Sequence, residues 1–323
     1  MRSLDLGVAV PTVSVVIPVY RAELTLRELY RQLSNAMEQV APTFEIIFVE
    51  DRGGDESWSI ITELAAADHR VRGIRMSRNY GQHNALLCGI RAARYDVVIT
   101  MDDDLQHPVS EIEPLLAALT PDVDVVYGAP QDEHHGFLRD AASRLTKLAL
   151  ASAMGADTAR NVSAFRAFRT RLREGFREYR SPTVSIDVLL TWSTSRFAAV
   201  KVRHAPRAAG VSGYSVTRLI RHALDLMTGF STLPLQISSF IGFALVLFGV
   251  SILAFVGVSY LINASEVPGF AFLASIIAIF SGAQLFALGI MGEYLARMHF
   301  RTMDRPSYLV EQTIACDDAD DRS

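Results

Sequence analysis

Three adjacent carboxylates, Asp102, Asp103 and Asp104, close a short apolar run, Val97 to Met101, and Leu105, Gln106, His107 and Pro108 follow. Like charges crowded at a strand end repel one another and resist desolvation unless something positive sits among them. A hard divalent cation, Mg²⁺ or Mn²⁺, takes oxygen ligands and brings phosphates with it. Carboxyl ends of strands in an open α/β sheet are also where ligands bind. The cluster therefore reads as a metal-assisted phosphate site. An acidic, solvated turn is the other reading.

The elements around the cluster decide between them. Val13–Val19 is a β-branched run with strand character, followed by a helical stripe of Leu24, Leu26, Leu29, Leu33 and Met37. Phe44–Val49 is a second strand, ending in Glu50 and Asp51. Gly53, Gly54 and Asp55 make a turn, and Asp55 or Ser57 caps a helix near 57–68. Val71–Met76, Val97–Met101 and Val123–Gly128 are further strands, with helices expected at His83–Ala93 and, after Pro108, near Val109–Leu119. The alternation predicts an α/β fold with a doubly wound, mostly parallel sheet. Strand ends then share one crevice, lined by Pro18 and Tyr20, by Asp51, by Arg78 and Asn79, and by the Asp cluster. An aromatic ring, carboxylates, an arginine and a metal suit a nucleoside diphosphate.

The 323-residue chain carries a net charge of −4, which argues against nucleic-acid binding, and two cysteines, too few for a disulfide framework. Met1–Pro11 has no sustained apolar stretch of the kind a signal peptide carries. Half the residues are hydrophobic, and the excess is local: Leu226–Ser265 and Val267–Gly292 contain no charged residue. Both runs exceed the roughly 20 residues that cross a bilayer. Spans are expected at about Ile237–Ile262 and Phe270–Met291. Arg218 and Arg221 flank them on one side, Arg297, Arg301 and Arg305 on the other, whereas the intervening loop has only Glu266. The positive-inside rule puts both flanks, both termini and the N-terminal region in the cytoplasm. Ser215–Phe230 is amphipathic and suits the membrane interface. The expected layout is a catalytic domain over 1–214, an interfacial helix over 215–232, two membrane helices over 233–294 and a tail over 295–323.

With these pieces in order, the chain resembles the family 2 glycosyltransferases of GT-A fold, and more narrowly the bacterial polyprenyl-phosphate glycosyltransferases. The matching segments are Val13–Tyr20, Val49–Asp51, Ser77–His83, Asp102–Pro108, the Arg207 to Ser215 stretch, Gly292–Tyr294 and the Arg-Pro-x-Tyr at 305–308. The 77–83 and 305–308 segments lean toward undecaprenyl-phosphate enzymes acting on lipid A or O-antigen. The resemblance implies metal and diphosphate ligation by Asp102, Asp104 and Gln106, with Asp103 in the variable middle position. It implies nucleotide contacts from Pro18, Tyr20, Glu23, Asp51, Arg78, Asn79 and Asp102. Acceptor-phosphate contacts would come from Arg139, Arg207, Ser212 and Tyr214, with Arg207 joining the two aspartates in catalysis. The implied partners are a UDP- or GDP-linked sugar and a polyprenyl phosphate in the cytoplasmic membrane; the implied assembly is a homo-oligomer, a tetramer in the family.

The expected reaction follows from the acceptor. A lipid phosphate is already ionised near neutral pH and needs no strong general base. Ala164, where many members carry an acidic residue, is then tolerable. A processive polysaccharide synthase usually has a Gln-x-x-Arg-Trp motif, which Trp192 does not supply. A non-catalytic lipid-binding scaffold is the alternative from another class, opposed by the intact Asp102, Asp104 and Gln106. A transporter is opposed by spans without ionisable residues.

Overall fold

The computed structural model describes residues 11–130, 161–181, 183–203, 232–263 and 269–315. Its centre is an eight-stranded sheet: β1 Val13–Val19, β2 Phe44–Glu50, β3 Val71–Met76, β4 Val97–Thr100, β5 Val125–Pro130, β6 Arg166–Arg169, β7 Phe197–Val202 and β8 Val310–Ile314. Their spatial order is β7-β5-β6-β4-β1-β2-β3-β8. Strands β4, β1, β2 and β3 pair in parallel, as do β5 and β7; β6 and β8 run antiparallel to their neighbours. The expected mostly parallel α/β sheet is thus present, with two antiparallel insertions.

Strands β1 and β2 are buried along their whole length, as strands covered on both faces must be. Val13, Val15, Ile17 and Val19 face a layer that includes α1 (Leu26–Val40) and α2 (Ser57–Ala67). Val16, Ile47 and Val49 face the opposite layer, with α3 (Gln82–Ala92) and α5 (Ile186–Ser193). The chain moves outward from β1 to β3 with helices on the first face. It then returns across the sheet to β4, and the right-handed crossover rule puts α3 on the second face. That return makes β1/β4 the topological switch point, where a crevice opens beyond the carboxyl ends of the strands. Close seating of α3 requires Gly89: a Cβ there would lie 2.3 Å from Val16 Cγ1.

Some expected elements shift: Leu24, expected on the apolar stripe, precedes α1 and is 80% exposed. Strand β5 runs two residues later than the apolar pattern places it. The helix after Pro108 is a short 3₁₀ turn, Val109–Glu111, continued by α4 (Ile112–Ala117). Residues 310–314, expected in a tail, form β8 and pair with β3.

Helices α6 (Leu233–Asn263) and α7 (Phe270–Thr302) contain Leu233–Ile252 and Ile279–His299, windows long and apolar enough to cross a membrane, and neither is buried by the rest of the protein. Between the two helices, Gly249 of α6 abuts α7, a Cβ there falling 3.1 Å from Phe280. Gly242, Gly282 and Gly289 face open space.

Candidate active site

The switch-point crevice is laced by short polar contacts between strand ends. At the end of β1, the Tyr20 amide donates to Asp103 Oδ2 at 3.0 Å, joining β1 to the turn after β4. Asp103, expected to be no metal ligand, thus has a backbone to hold. Tyr20 is 46% exposed, with the Arg21 guanidinium carbon 5.4 Å from its ring centroid. Asp102 Oδ1 accepts from Gln82 Nε2 at 2.6 Å, and Asp104 Oδ1 from the Gln106 amide at 3.1 Å. Asp104 is buried and Asp102 partly exposed.

Asp51 is 3% exposed at the end of β2. Its two oxygens accept the Tyr80 and Gly81 amides, each at 2.7 Å. Burial pushes its carboxyl above the ordinary carboxylate range, opposed by these two N–H groups and reinforced by the Glu50 charge. Sequence reasoning gives Asp51 to a nucleotide; the structure gives it first to the 78–81 loop. A carboxylate offers about four acceptor positions, so two remain. Gly81 has φ +92°, a conformation side chains avoid, and it starts α3 at that point. Arg78 stacks over Tyr80, 4.6 Å from guanidinium carbon to ring centroid. Glu23 is also occupied by backbone, accepting the Glu56 amide at 3.0 Å.

Backbone strain collects at this edge. Arg21, Arg52 and Leu105 have φ of 55°, 55° and 61°, each just beyond a strand or carboxylate that lines the crevice. Left-handed conformations in non-glycine residues are sparse and concentrate at functional sites. Arg52 is held by the Ser77 carbonyl at 3.3 Å and by Glu311 of β8 at 2.7 Å.

Pro18, Tyr20, Asp51, Arg78, Asn79, Asp102, Asp104 and Gln106 therefore lie on the carboxyl ends of β1–β4 or the turns after them, as expected. Arg139, Arg207, Ser212, Tyr214 and the amphipathic segment 215–230 lie outside the described residues. The sequence reading missed Gln82, though it stands in the quoted Asn-Tyr-Gly-Gln-His run. It also missed a buried cluster under β4. There Arg166, 1% exposed, donates to Thr100 Oγ1 at 3.0 Å and to Asp187, which also accepts from the Tyr127 hydroxyl at 3.1 Å. The partners stand far apart in sequence and carry no local motif.

The donor set of Asp102, Asp104 and Gln106 is all oxygen, suited to a hard cation. Among the described residues, no three His, Cys, Asp or Glu side chains group closely enough to hold a metal alone. An ion held there would need further oxygen ligands from outside these three side chains.

Residues 14–179 match the family model for glycosyl transferase family 2. The chain is 33% identical over 305 residues to the undecaprenyl-phosphate 4-deoxy-4-formamido-L-arabinose transferase of Pseudomonas fluorescens (strain SBW25), covering 94% of this chain and 89% of that protein. The chain belongs to glycosyl transferase family 2. The same-named transferase of Aeromonas hydrophila subsp. hydrophila is 32% identical, with 94% of each chain covered. Among solved structures, glucosyl-3-phosphoglycerate synthase from Mycobacterium tuberculosis, in complex with Mn²⁺, uridine diphosphate and glucosyl-3-phosphoglycerate, superposes at TM-score 0.51 and 16% identity, covering 68% of this chain and 80% of that one. This family 2 member thus shares that fold. The matched family region ends at Tyr179, before α6 and α7, and the 305-residue matches to the two transferases are long enough to include both helices.

Proposed function

We propose that the protein transfers a sugar from a UDP- or GDP-linked donor to a polyprenyl phosphate at the cytoplasmic face of the membrane, releasing a nucleoside diphosphate and inverting the anomeric carbon. The observation that carries this reading is the match to undecaprenyl-phosphate sugar transferases across 94% of the chain, the carboxylate crevice and both apolar helices included.

The chemistry divides as follows. Tyr20 stacks on the base, and the remaining acceptor positions of Asp51 take base or ribose donors. Asp102, Asp104 and Gln106 would hold Mg²⁺ or Mn²⁺ at the diphosphate end of the donor. When bound, the ion neutralises the departing diphosphate. Arg139, Arg207, Ser212 and Tyr214 hold the acceptor phosphate, already a competent nucleophile, in line with the anomeric carbon. Its oxygen forms the new glycosidic bond as the bond to the nucleoside diphosphate breaks. A polyprenyl chain stays in the bilayer, so α6 and α7 keep the crevice at its surface. A homo-oligomer, a tetramer as in the family, belongs to the same reading.

The test is incubation of the purified full-length protein with undecaprenyl phosphate and a panel of nucleotide sugars, with mass spectrometry of the lipid. A sugar-bearing lipid phosphate from one donor class is expected; no product from any donor would refute the reading. Repeating the productive pair on wild type and Asp104→Ala, with and without Mg²⁺ or Mn²⁺, tests the metal. Equal activity in all four conditions removes it.

A further inference from the structure

A second concave region lies beside the carboxylate crevice, across the 78–84 segment. A cavity of about 550 Å³ opens where the end of α7 meets the 78–84 segment. Arg78, Arg297, Arg301 and Arg305 line it, against one carboxylate, Glu293, and the hydroxyl of Ser307. Glu293 pairs with Arg297 one helical turn on, at 3.0 Å.

The walls are tied together. Ser77 donates its amide to the Leu309 carbonyl at 2.9 Å, and Ser181 its amide to Ser307 Oγ at 3.2 Å. Asp304, with φ 49°, turns the chain out of α7 and pairs with Arg180 at 3.0 Å. Arg305 follows that turn, is exposed, and makes no ion pair among the described residues. Four guanidinium groups around one space repel, and a phosphate relieves that repulsion better than any neutral group. The height of the cavity is also informative. The apolar window of α7 ends at His299, so Arg301 and Arg305 come directly after it, at the level of lipid headgroups.

We propose that this cavity is a phosphate-monoester site for the lipid acceptor, distinct from the 207–214 segment, in which the phosphate docks on Arg78, Arg301 and Arg305 while the lipid chain runs along α7. The proposal deepens the lipid-acceptor reading above. The cavity shares the 78–84 segment with the crevice: Arg78, Tyr80 and Asn84 line it, Asp51 grips the Tyr80 amide, and Gln82 grips Asp102. A lipid phosphate seated there waits one loop away from the donor.

The test measures binding without any donor sugar, so it stands or falls separately from transfer activity. Full-length protein in nanodiscs is titrated with undecaprenyl phosphate, undecaprenol, phosphatidic acid and inorganic phosphate, and occupancy is read by native mass spectrometry. Wild type is compared with Arg305→Gln, Arg301→Gln and Arg305→Lys, each checked for an unchanged melting temperature. Loss of a charge-assisted phosphate contact is expected to weaken undecaprenyl phosphate about tenfold or more in the Gln variants, with recovery in Arg305→Lys and no change for undecaprenol. Equal affinity for undecaprenyl phosphate in wild type and both Gln variants overturns the proposal. So does a Gln effect on inorganic phosphate alone, which makes the cavity a soluble-phosphate site. An equal effect on phosphatidic acid and undecaprenyl phosphate also overturns it, assigning the cavity to bulk anionic lipid.

Discussion

Two equally buried aspartates at opposite edges of the sheet, Asp124 and Asp51, are held in opposite ways. Asp124 precedes β5, at the amino edge, and is surrounded by cations: Arg171 at 3.0 Å, Arg196 at 2.9 Å, with the Thr194 hydroxyl at 2.7 Å. Glu45, near the start of β2, is likewise paired with Arg72 at 2.8 Å. At the carboxyl edge, Asp51 is as buried as Asp124 but has two backbone amides in place of arginines. The titrations follow. Burial pushes both carboxyls up; around Asp124 the Thr194, Arg171 and Arg196 contacts outweigh it and hold the group below its ordinary range, whereas Asp51 stays above. Glu50, one residue before Asp51, has its arginine, Arg75, at 3.1 Å. Neutralisation is therefore available at this edge and is withheld from the residue whose remaining lone pairs a ligand would use. The amino edge holds its buried aspartate with cations, and the carboxyl edge holds Asp51 with backbone amides.

Substitutions at the two edges should separate accordingly. Asp104→Ala is expected to reduce transfer about a thousandfold, about 4 kcal/mol of transition-state stabilisation, with the melting temperature little changed. Single-turnover assays beside thermal melts check this; loss of fold in step with loss of activity would merge the two edges into one structural class. Asp124→Asn should do the reverse. Arg171 and Arg196 are 65% and 44% exposed and can turn to water, so the cost is about 1–2 kcal/mol of stability rather than that of a fully buried pair. Activity per folded molecule should be retained, as measured by transfer rate normalised to folded protein.

How far the sequence discloses this contrast depends on locality. Strands β1, β2 and β4 are largely apolar because both faces are covered, and their ends carry crevice residues, so the fold and this edge of the sheet are readable together. Strand β6 reads Arg-Ala-Phe-Arg and hides its membership in the sheet, because Arg166 is made tolerable by Asp187, a partner fixed only by tertiary structure. Strand β8, Val-Glu-Gln-Thr-Ile, is an exposed edge strand with no core pattern. Its return brings the segment after α7 against residues 77–81. Without it, Arg297, Arg301 and Arg305 read only as the positive flank of a span. Asp51 is legible as a carboxylate at the end of β2, but its grip on Tyr80 and Gly81 is not, since that contact depends on the loop's path.

Asp51→Asn probes that grip. A carboxamide can accept one of the two amides and turns its own NH₂ against the other. The loop should loosen, and the KM for the nucleotide sugar should rise about tenfold with a smaller change in kcat. An unchanged KM would mean that the 78–81 loop holds its place without Asp51.

The smallest expected effect is also the most direct test of the contrast, because the edges should differ in sign. A carboxyl raised in the fold, as Asp51 is, contributes stability that is full below its unfolded pKa and is lost as pH rises through the folded value. A carboxyl lowered in the fold, as Asp124 is, contributes stability present above its unfolded pKa and lost as pH falls through the folded value. Melting temperatures of the full-length protein and both Asn variants, recorded between about pH 3 and 7, isolate each term as a difference from wild type. Raising the pH should move Asp51→Asn upward relative to wild type and Asp124→Asn downward. Parallel slopes would mean that the amides of Tyr80 and Gly81 stabilise the Asp51 carboxylate as fully as the arginines stabilise Asp124. The carboxyl edge would then hold no uncompensated charge for a ligand to use.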